Sequence, residues 1–351
     1  MEKEAILWKP LGGGKVECVA CERRCKIPDG GRGFCFVRAN KKGRLFLENY
    51  GVLEALQIDP IEKKPFNHFY PGSYVLGVGT SSCNFGCLFC QNHNISKERE
   101  IKGIDVSPEQ LVLLAAKHGA GGIAYTYNEP TIFIEYALDT AKIAHSNGLF
   151  NVFVSNGYMT SEAVEKMKGP IDAVVVDFKG NGEEKFANKY EAVVSNESIK
   201  NSLTAMKNAG MHVEITDLIV PKVGDSLEAC DRLTKWIVGS LGPDTPVHFT
   251  RFHPDYKMLD YPETPLDTLI DHYTIAKRNG IKYVYIGNVP GNKYESTYCP
   301  SCGRKIVARE GFYIKEWDIT RDLKCRFCGA TIHIEGRVPK HFAQRPIDVL
   351  F

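Results

Sequence analysis

The chain has 351 residues, 43% hydrophobic and 25% charged, which is the composition of an ordinary globular protein long enough to bury a sizeable core. Its 44 Lys and Arg against 42 Asp and Glu leave a formal charge of +2, so bulk electrostatics offers no case for nucleic acid or an anionic membrane as main partner. Met1–Leu11 holds no apolar h-region and no run approaches the ~18 apolar residues of a spanning helix; a cytoplasmic chain with no membrane part is expected.

Twelve cysteines fall in three groups with one left over. The first group is Cys18, Cys21, Cys25 and Cys35, set in a short Gly-rich region whose Arg23, Arg24, Lys26 and Arg32 read as a solvated basic face. Two prolines bracket the charged run Asp59–Pro65, which reads as a linker. The short apolar run Tyr74–Val78 then leads straight into the second group, Cys83, Cys87 and Cys90. From there strand-like and helix-like segments alternate. The strands are Gly122–Thr126, Phe150–Val154, Ala173–Val176, Val213–Leu218, Val247–Thr250 and Tyr283–Ile286. The helical stretches are Val112–Lys117, Ile132–His145, Glu162–Met167, Ile199–Asn208, Leu227–Val238 and Leu266–Arg278. Near-continuous apolar strands are those of a parallel sheet covered on both faces. Cys230 sits inside a helical stretch and reads as a small buried hydrophobe. After Asn288 comes the third group, Cys299, Cys302, Cys325 and Cys328, and then an irregular tail, Arg337–Phe351. The fold class expected is α/β, a partial (β/α)6 barrel flanked by two small metal modules of four cysteines each. Its boundaries are 1–58, 59–290 and 291–351.

Polar residues gather just after each strand: the Cys83–Cys90 group, then Asn128 and Glu129, Ser155 and Asn156, Asp177 and Lys179, Thr216 and Asp217, Arg251 and His253, and Asn288. In a closed or partly closed parallel barrel these meet at the C-terminal face, where active sites are built. Cys83-x3-Cys87-x2-Cys90 places three thiolates within eight residues, with Gly86 letting the backbone fold tightly. Three ligands on a [4Fe–4S] cube leave one iron open, the mark of a catalytic centre; a zinc knuckle completed by His93 is the structural counterpart.

Cys83-Asn84-Phe85-Gly86-Cys87-Leu88-Phe89-Cys90 resembles the signature of the radical S-adenosylmethionine (radical SAM) superfamily. Asp59–Lys64, Cys90-Gln91-Asn92, Tyr125–Pro130 and Val154–Gly157 further resemble the AmmeMemoRadiSam-system radical SAM enzymes, relatives of pyruvate formate-lyase-activating enzymes, with similarity running from about Cys18 to Gly329. The resemblance implies an oxidoreductase of the EC 1.97.1 type that cleaves S-adenosylmethionine reductively to a 5′-deoxyadenosyl radical, which abstracts hydrogen from a protein or small-molecule substrate. It implies Glu129 at the methionine ammonium, although Tyr-Asn-Glu-Pro stands where the superfamily usually has Gly-Gly-Glu and the part of Asn128 transfers poorly. It implies Ser155 and Asn156 at the ribose, Lys179 of Asp177-Phe178-Lys179 at the methionine carboxylate, and His253 near the ribose. It also implies a reductant such as ferredoxin or flavodoxin, and the family name points to Memo-type and AMMECR-type protein partners.

The pair of knuckles Cys299-x2-Cys302 and Cys325-x2-Cys328, each closed by Gly, matches a zinc ribbon that stabilises a segment with little core of its own; a rubredoxin-like iron is also compatible with four thiolates. At the N-terminal four, zinc and a second iron–sulfur cluster both fit, with zinc the first expectation. The rivals in function are a glycyl-radical activating enzyme, a modifier of a small molecule or tRNA, and a non-catalytic zinc/iron–sulfur binding module. The near-neutral charge speaks against nucleic acid as the last one's ligand.

Overall fold

Ala173, Val174, Val175 and Val176 are all fully buried, and a strand with no solvent face needs layers on both sides. In the computed structural model, which describes residues 2–339 and 341–350, this strand lies inside a nine-stranded sheet, fourth from one edge. In chain order its strands are β1 (Ala55–Pro60), β2 (Tyr74–Gly79), β3 (Gly122–Tyr125), β4 (Phe150–Ser155), β5 (Ala173–Lys179), β6 (His212–Ile219), β7 (Val247–Arg251), β8 (Val284–Gly287) and β9 (Asp348–Val349). β2 to β8 are parallel and adjacent in sequence order; β1 joins β2, and β9 joins β1, both antiparallel. The sheet runs from β8 to β9 without closing. All seven expected parallel strands and all six crossover helices are present.

The helices are α1 (Pro108–Lys117), α2 (Ile134–Ser146), α3 (Ser161–Met167), α4 (Glu197–Asn208), α5 (Leu227–Leu241) and α6 (Leu266–Arg278). Their starts follow from local chemistry. Ser107 and Gln110 form a capping box before α1, and the hydroxyls of Thr160 and Ser226 accept from the third backbone N–H of α3 and α5. Cys230 of α5 is fully buried, as expected of a small hydrophobe. No described helix is long and apolar enough to cross a membrane.

Two expectations fail here. Asp59–Pro65 is no linker, and the 58/59 boundary cuts through β1. Asp59 is buried at the end of that strand, its carboxylate bonded to Lys63 at 2.7 Å and Lys64 at 2.6 Å. Charges that pair with each other can be buried, and a composition reading cannot see the pairing. The tail is not wholly irregular either: β9 pairs with Gln57 and Ile58 of β1, and the Tyr74 hydroxyl donates to the carbonyls of Ala343 and Arg345.

The N-terminal region forms two small antiparallel sheets, Lys3–Glu4 with Arg38–Lys41 and Arg44–Leu47, and Trp8–Pro10 with Val16–Cys18 and Lys26–Ile27. It is fastened to the barrel by Arg38, whose guanidinium grips both oxygens of Glu135 on α2 at 3.1 and 2.5 Å and donates to the Ile132 carbonyl. Both side chains are buried, so removing either partner would strand a charge at a cost of about 3–5 kcal/mol. Arg23, expected on a solvated face, instead donates to the carbonyls of Asn84 and Ala192. The C-terminal region is a three-stranded antiparallel sheet, Thr297–Tyr298, Lys305–Glu310 and Tyr313–Trp317, whose core includes Tyr283 and Tyr285 at the β8 edge.

Candidate active site

The loop from Thr80 to Cys90 leaves the C-terminal end of β2 and is held from every side. Asn128 spends its whole amide on it: Oδ1 accepts from the Thr80 N–H, and Nδ2 donates to the Thr80 hydroxyl and the Ser82 carbonyl. From the β5–α4 connection, the carbonyls of Glu191 and Tyr190 accept from the N–H groups of Gly86 and Leu88. Gly86 is required for close approach: a Cβ there would stand 2.9 Å from that of Ala192. Lys97 donates to the Phe85 carbonyl. Ser82, Tyr127 and Asn288, all following parallel strands at this rim, have left-handed backbone at φ +72°, +70° and +59°, strain that the packing around the site sustains.

The loop borders a cavity of about 890 Å³, within the range of small-molecule sites. Cys83, Cys87, Cys90, Asn128, Glu129, Ser155, Asn156, Asp177, Lys179, Thr216 and Asn288 all line it, so the residues expected at one rim are brought together. Three are not. Asp217 turns away and accepts from the Asn181 N–H at 3.1 Å; Arg251 and His253 are outside the lining. His253 is on the surface, its side chain 46% exposed, and it meets the cavity only through Gln91 at 3.1 Å. It lies beyond the end of β7, where the chain has already left the barrel mouth.

Glu129 is buried and accepts four hydrogen bonds, from the Thr131 N–H and hydroxyl, the Ser155 hydroxyl and the Asn156 N–H. Burial raises its pKa against those donors. Asn156 donates to Asn84 and accepts from the Tyr158 N–H. Asn156 therefore acts as a strut between Glu129 and the cysteine loop, while Ser155 braces Glu129. The Lys179 ammonium donates to the Asp177 carbonyl at 3.1 Å and stands 3.8 Å from its carboxylate. Burial alone would lower it, but Asp177, Glu191, Cys87 and Cys83 hold it above the usual lysine value.

Two residues that the sequence did not announce complete the electrostatics. Glu191 is buried beside Cys87, 4.0 Å from its sulfur, and burial pushes its carboxyl up to about 7 against the pull of Lys179 and Lys97. Lys97 is the largest charge opposing the burial that pushes the Cys83 thiol up to about 12. Neither residue carries a local motif; only the distance of each to the loop reveals it.

The three sulfur groups differ in spacing. Cys299 and Cys328 stand 3.6 Å apart and Cys302 and Cys325 3.8 Å, and all four sulfurs lie within 4.8 Å of one another. A single Zn–S sphere of about 2.3 Å puts tetrahedral sulfurs roughly 3.8 Å apart. Among the described residues neither the Cys83 group nor the Cys18 group closes to that spacing. Cys18, Cys21, Cys25 and Cys35 instead surround a small cavity that also touches Asn84. Thiolates bound to separate irons of a cluster stand farther apart than those sharing one ion, so a [4Fe–4S] cube does not ask the Cys83 group for the single-ion spacing. The C-terminal sheet also reaches the main cavity, where Arg309, Gly311 and Phe312 form part of the wall.

The radical SAM superfamily model matches residues 78–237. An uncharacterized protein of Methanocaldococcus jannaschii is 42% identical over 337 residues, 95% of this chain and 99% of that protein. Among solved structures, a domain of pyruvate-formate lyase-activating enzyme from Bacteroides vulgatus is 15% identical, covering 48% of this chain and 100% of that one at a TM-score of 0.40. Streptococcus suis SuiB bound to S-adenosylmethionine is 12% identical, covering 60% of this chain and 49% of that one at a TM-score of 0.48.

Proposed function

Because this chain belongs to the radical SAM superfamily, we propose that it binds S-adenosylmethionine in the 890 Å³ cavity and abstracts hydrogen from a protein or small-molecule substrate seated beside it. The observation that carries the reading is the convergence of Cys83, Cys87 and Cys90 with Glu129 and Lys179 on one cavity at the C-terminal mouth of the parallel sheet. When bound, the cluster supplies the electron for reductive cleavage to a 5′-deoxyadenosyl radical.

The chain's own part is to hold and orient. Cys83, Cys87 and Cys90 provide three of the four ligands. Lys179 offers an ammonium to the methionine carboxylate, and Glu129, fixed by its four donors, offers a carboxylate to the methionine ammonium. Asn156 keeps Glu129 in register with the cysteine loop, and Ser155 adds a donor to its carboxylate. Phe312 and Arg309, from the C-terminal sheet, form part of the cavity wall.

At the C-terminal four cysteines we propose zinc, on the single-ion spacing of the sulfurs. At the N-terminal four cysteines we propose zinc as well, with a second iron–sulfur cluster the alternative that four thiolates also fit. A one-electron donor of the ferredoxin or flavodoxin class belongs to the proposal. Glycyl-radical activation, and an association with Memo-type and AMMECR-type proteins, are supported by the sequence resemblance alone.

The test is anaerobic reconstitution of wild type and Cys87→Ala. The oxygen-sensitive signal of the Cys83 site should vanish in the variant. S-adenosylmethionine should shift the EPR spectrum of the reduced wild type, and dithionite should yield 5′-deoxyadenosine. A spectrum indifferent to S-adenosylmethionine, with no 5′-deoxyadenosine, would replace the enzyme with the binding module.

A further inference from the structure

At the opposite end of the sheet from the cysteine loop, β6 begins with His212, and the C-terminal region lays His333-Ile334-Glu335 against it. The segment is pinned by backbone: the Glu335 N–H donates to the His68 carbonyl, the Glu335 carbonyl accepts from Tyr70, and the His333 N–H donates to the Tyr283 hydroxyl. One ring nitrogen of each histidine and a carboxylate oxygen of Glu335 lie within 4.8 Å of one another.

The His212 ring shows what this grouping is for. The ring is buried, and its Nε2 meets the Glu214 carboxylate at 3.2 Å. Its Nδ1 is buried with no hydrogen-bond partner among the described residues, although Glu335 Oε1 is only 3.1 Å away. The two atoms are close but not aligned for an N–H···O bond. Two ligands aimed at a shared third centre have that relation. His333 Nε2 stands 3.8 Å from the same Glu335 oxygen, and the two imidazole planes are within 14° of parallel.

Glu214 supplies the outer support. It accepts from the N–H groups of Asn67 and His68 and also meets His248 at 2.7 Å, so its position is set independently of His212. A carboxylate on Nε2 fixes that nitrogen as the protonated one and leaves the Nδ1 lone pair for a metal, the arrangement found behind most metal-bound histidines.

We propose that His212 Nδ1, His333 Nε2 and the Glu335 carboxylate bind one divalent transition-metal ion of the zinc class, clasping the C-terminal region to the first residue of β6. Two imidazoles and one carboxylate suit such an ion, and the fourth position is left to water. The His333 and Glu335 side chains are 39% and 44% exposed, which gives the ion a route in. The site is separate from all three cysteine groups and does not depend on the activity proposed above.

The probe is Co²⁺, added anaerobically to full-length protein whose cysteine sites are already loaded. Wild type is compared with His333→Ala and Glu335→Gln, whose partly exposed side chains can be changed without opening the core. Wild type should take up one further equivalent per chain, with a weak visible band lacking thiolate-to-cobalt charge transfer, and its thermal midpoint should rise. Each variant should lose that band and the rise while keeping its cysteine-bound metal. Equal cobalt uptake and equal thermal shifts in all three proteins would overturn the site, as would a cobalt band carrying charge transfer from sulfur.

Discussion

The Asn156 side chain donates to Asn84 Oδ1 at 2.8 Å, joining the residue after β4 to the residue after the first cysteine of the loop. Asn84 is also where the N-terminal region arrives. Arg23 donates to its carbonyl, and the cavity ringed by Cys18, Cys21, Cys25 and Cys35 touches it. Three parts of the molecule thus meet at one buried residue, whose side-chain Nδ2 has no partner among the described residues.

Asn156→Ala should therefore act on the loop before it acts on the ligand. It strands Asn84 Oδ1 in a buried position, a loss of about 1–3 kcal/mol. The Asn156 N–H to Glu129 is backbone and survives the change. Cluster content after anaerobic reconstitution should fall, or decay faster in air, with S-adenosylmethionine affinity of the intact fraction nearly unchanged. Full cluster content with weakened affinity would assign Asn156 to the ligand instead.

Lys179→Met tests the ligand directly. The lysine ligates no iron, and losing one charge-assisted bond of roughly 1.5–3 kcal/mol weakens binding about ten- to hundredfold. Cluster content should hold, and uncoupled 5′-deoxyadenosine formation should need correspondingly more S-adenosylmethionine. Glu129→Gln should differ, because its four bonds also brace Thr131, Ser155 and Asn156: a lower thermal midpoint should accompany the affinity loss. If both variants titrate like wild type, the methionine end is held elsewhere.

The parallel sheet was legible because short apolar runs such as Ala173–Val176, spaced by helical stretches, have no other use in a chain of this composition, and the rim followed from the strand ends. What escaped depends on pairing across long sequence distances. Asp59 with Lys64 read as solvated charge because each partner hides the other's cost of burial, and the Tyr127 hydroxyl at 2.9 Å from Asp59 adds a third member from another loop. Arg38 with Glu135, and Lys97 and Glu191 around the cysteine loop, are ordinary loop or helix letters until the fold brings them together. His253 is the contrasting case. A position inferred from a resemblance fixes the order of residues along the chain, and the loop after β7 still carries this one outside the cavity. The spacing Cys-x2-Cys-x3-Cys left the N-terminal metal open because sequence separation does not determine how far apart the sulfurs stand.

Cys299→Ser combined with Cys302→Ser should cost more than the stability of the C-terminal region. Arg309 belongs to that region, donates to the Asn67 carbonyl and the Thr297 hydroxyl, and lines the main cavity with Phe312. Loss of the ion should loosen this wall. The barrel cluster should still assemble, since none of its ligands is touched. Abortive 5′-deoxyadenosine formation should change, because part of the cavity wall is displaced. Wild-type turnover with one equivalent less zinc would make the ribbon an independent appendage.

Asp217 gives the pH prediction. Its carboxyl is fully buried, accepts from the Asn181 N–H, and has its second oxygen without a partner among the described residues. Burial pushes its pKa from 3.8 up to about 7, against the Asn181 bond and Lys179. Between those values the unfolded chain has released a proton that the folded chain still holds. Stability contributed by this group is thus complete below the lower value and falls as pH rises, with a slope of about 1.4 kcal/mol per pH unit inside the window. Above about 7 both states are ionised and the loss is constant. Asp217→Asn keeps an oxygen for Asn181 and removes the titration. Its absolute stability can shift either way, so the readout is the difference from wild type across pH at matched metal loading. In denaturant melts that difference should move in favour of the asparagine from about pH 4.5 to about 7 and then level off. A difference flat across the whole range would show that this carboxyl ionises normally in the fold.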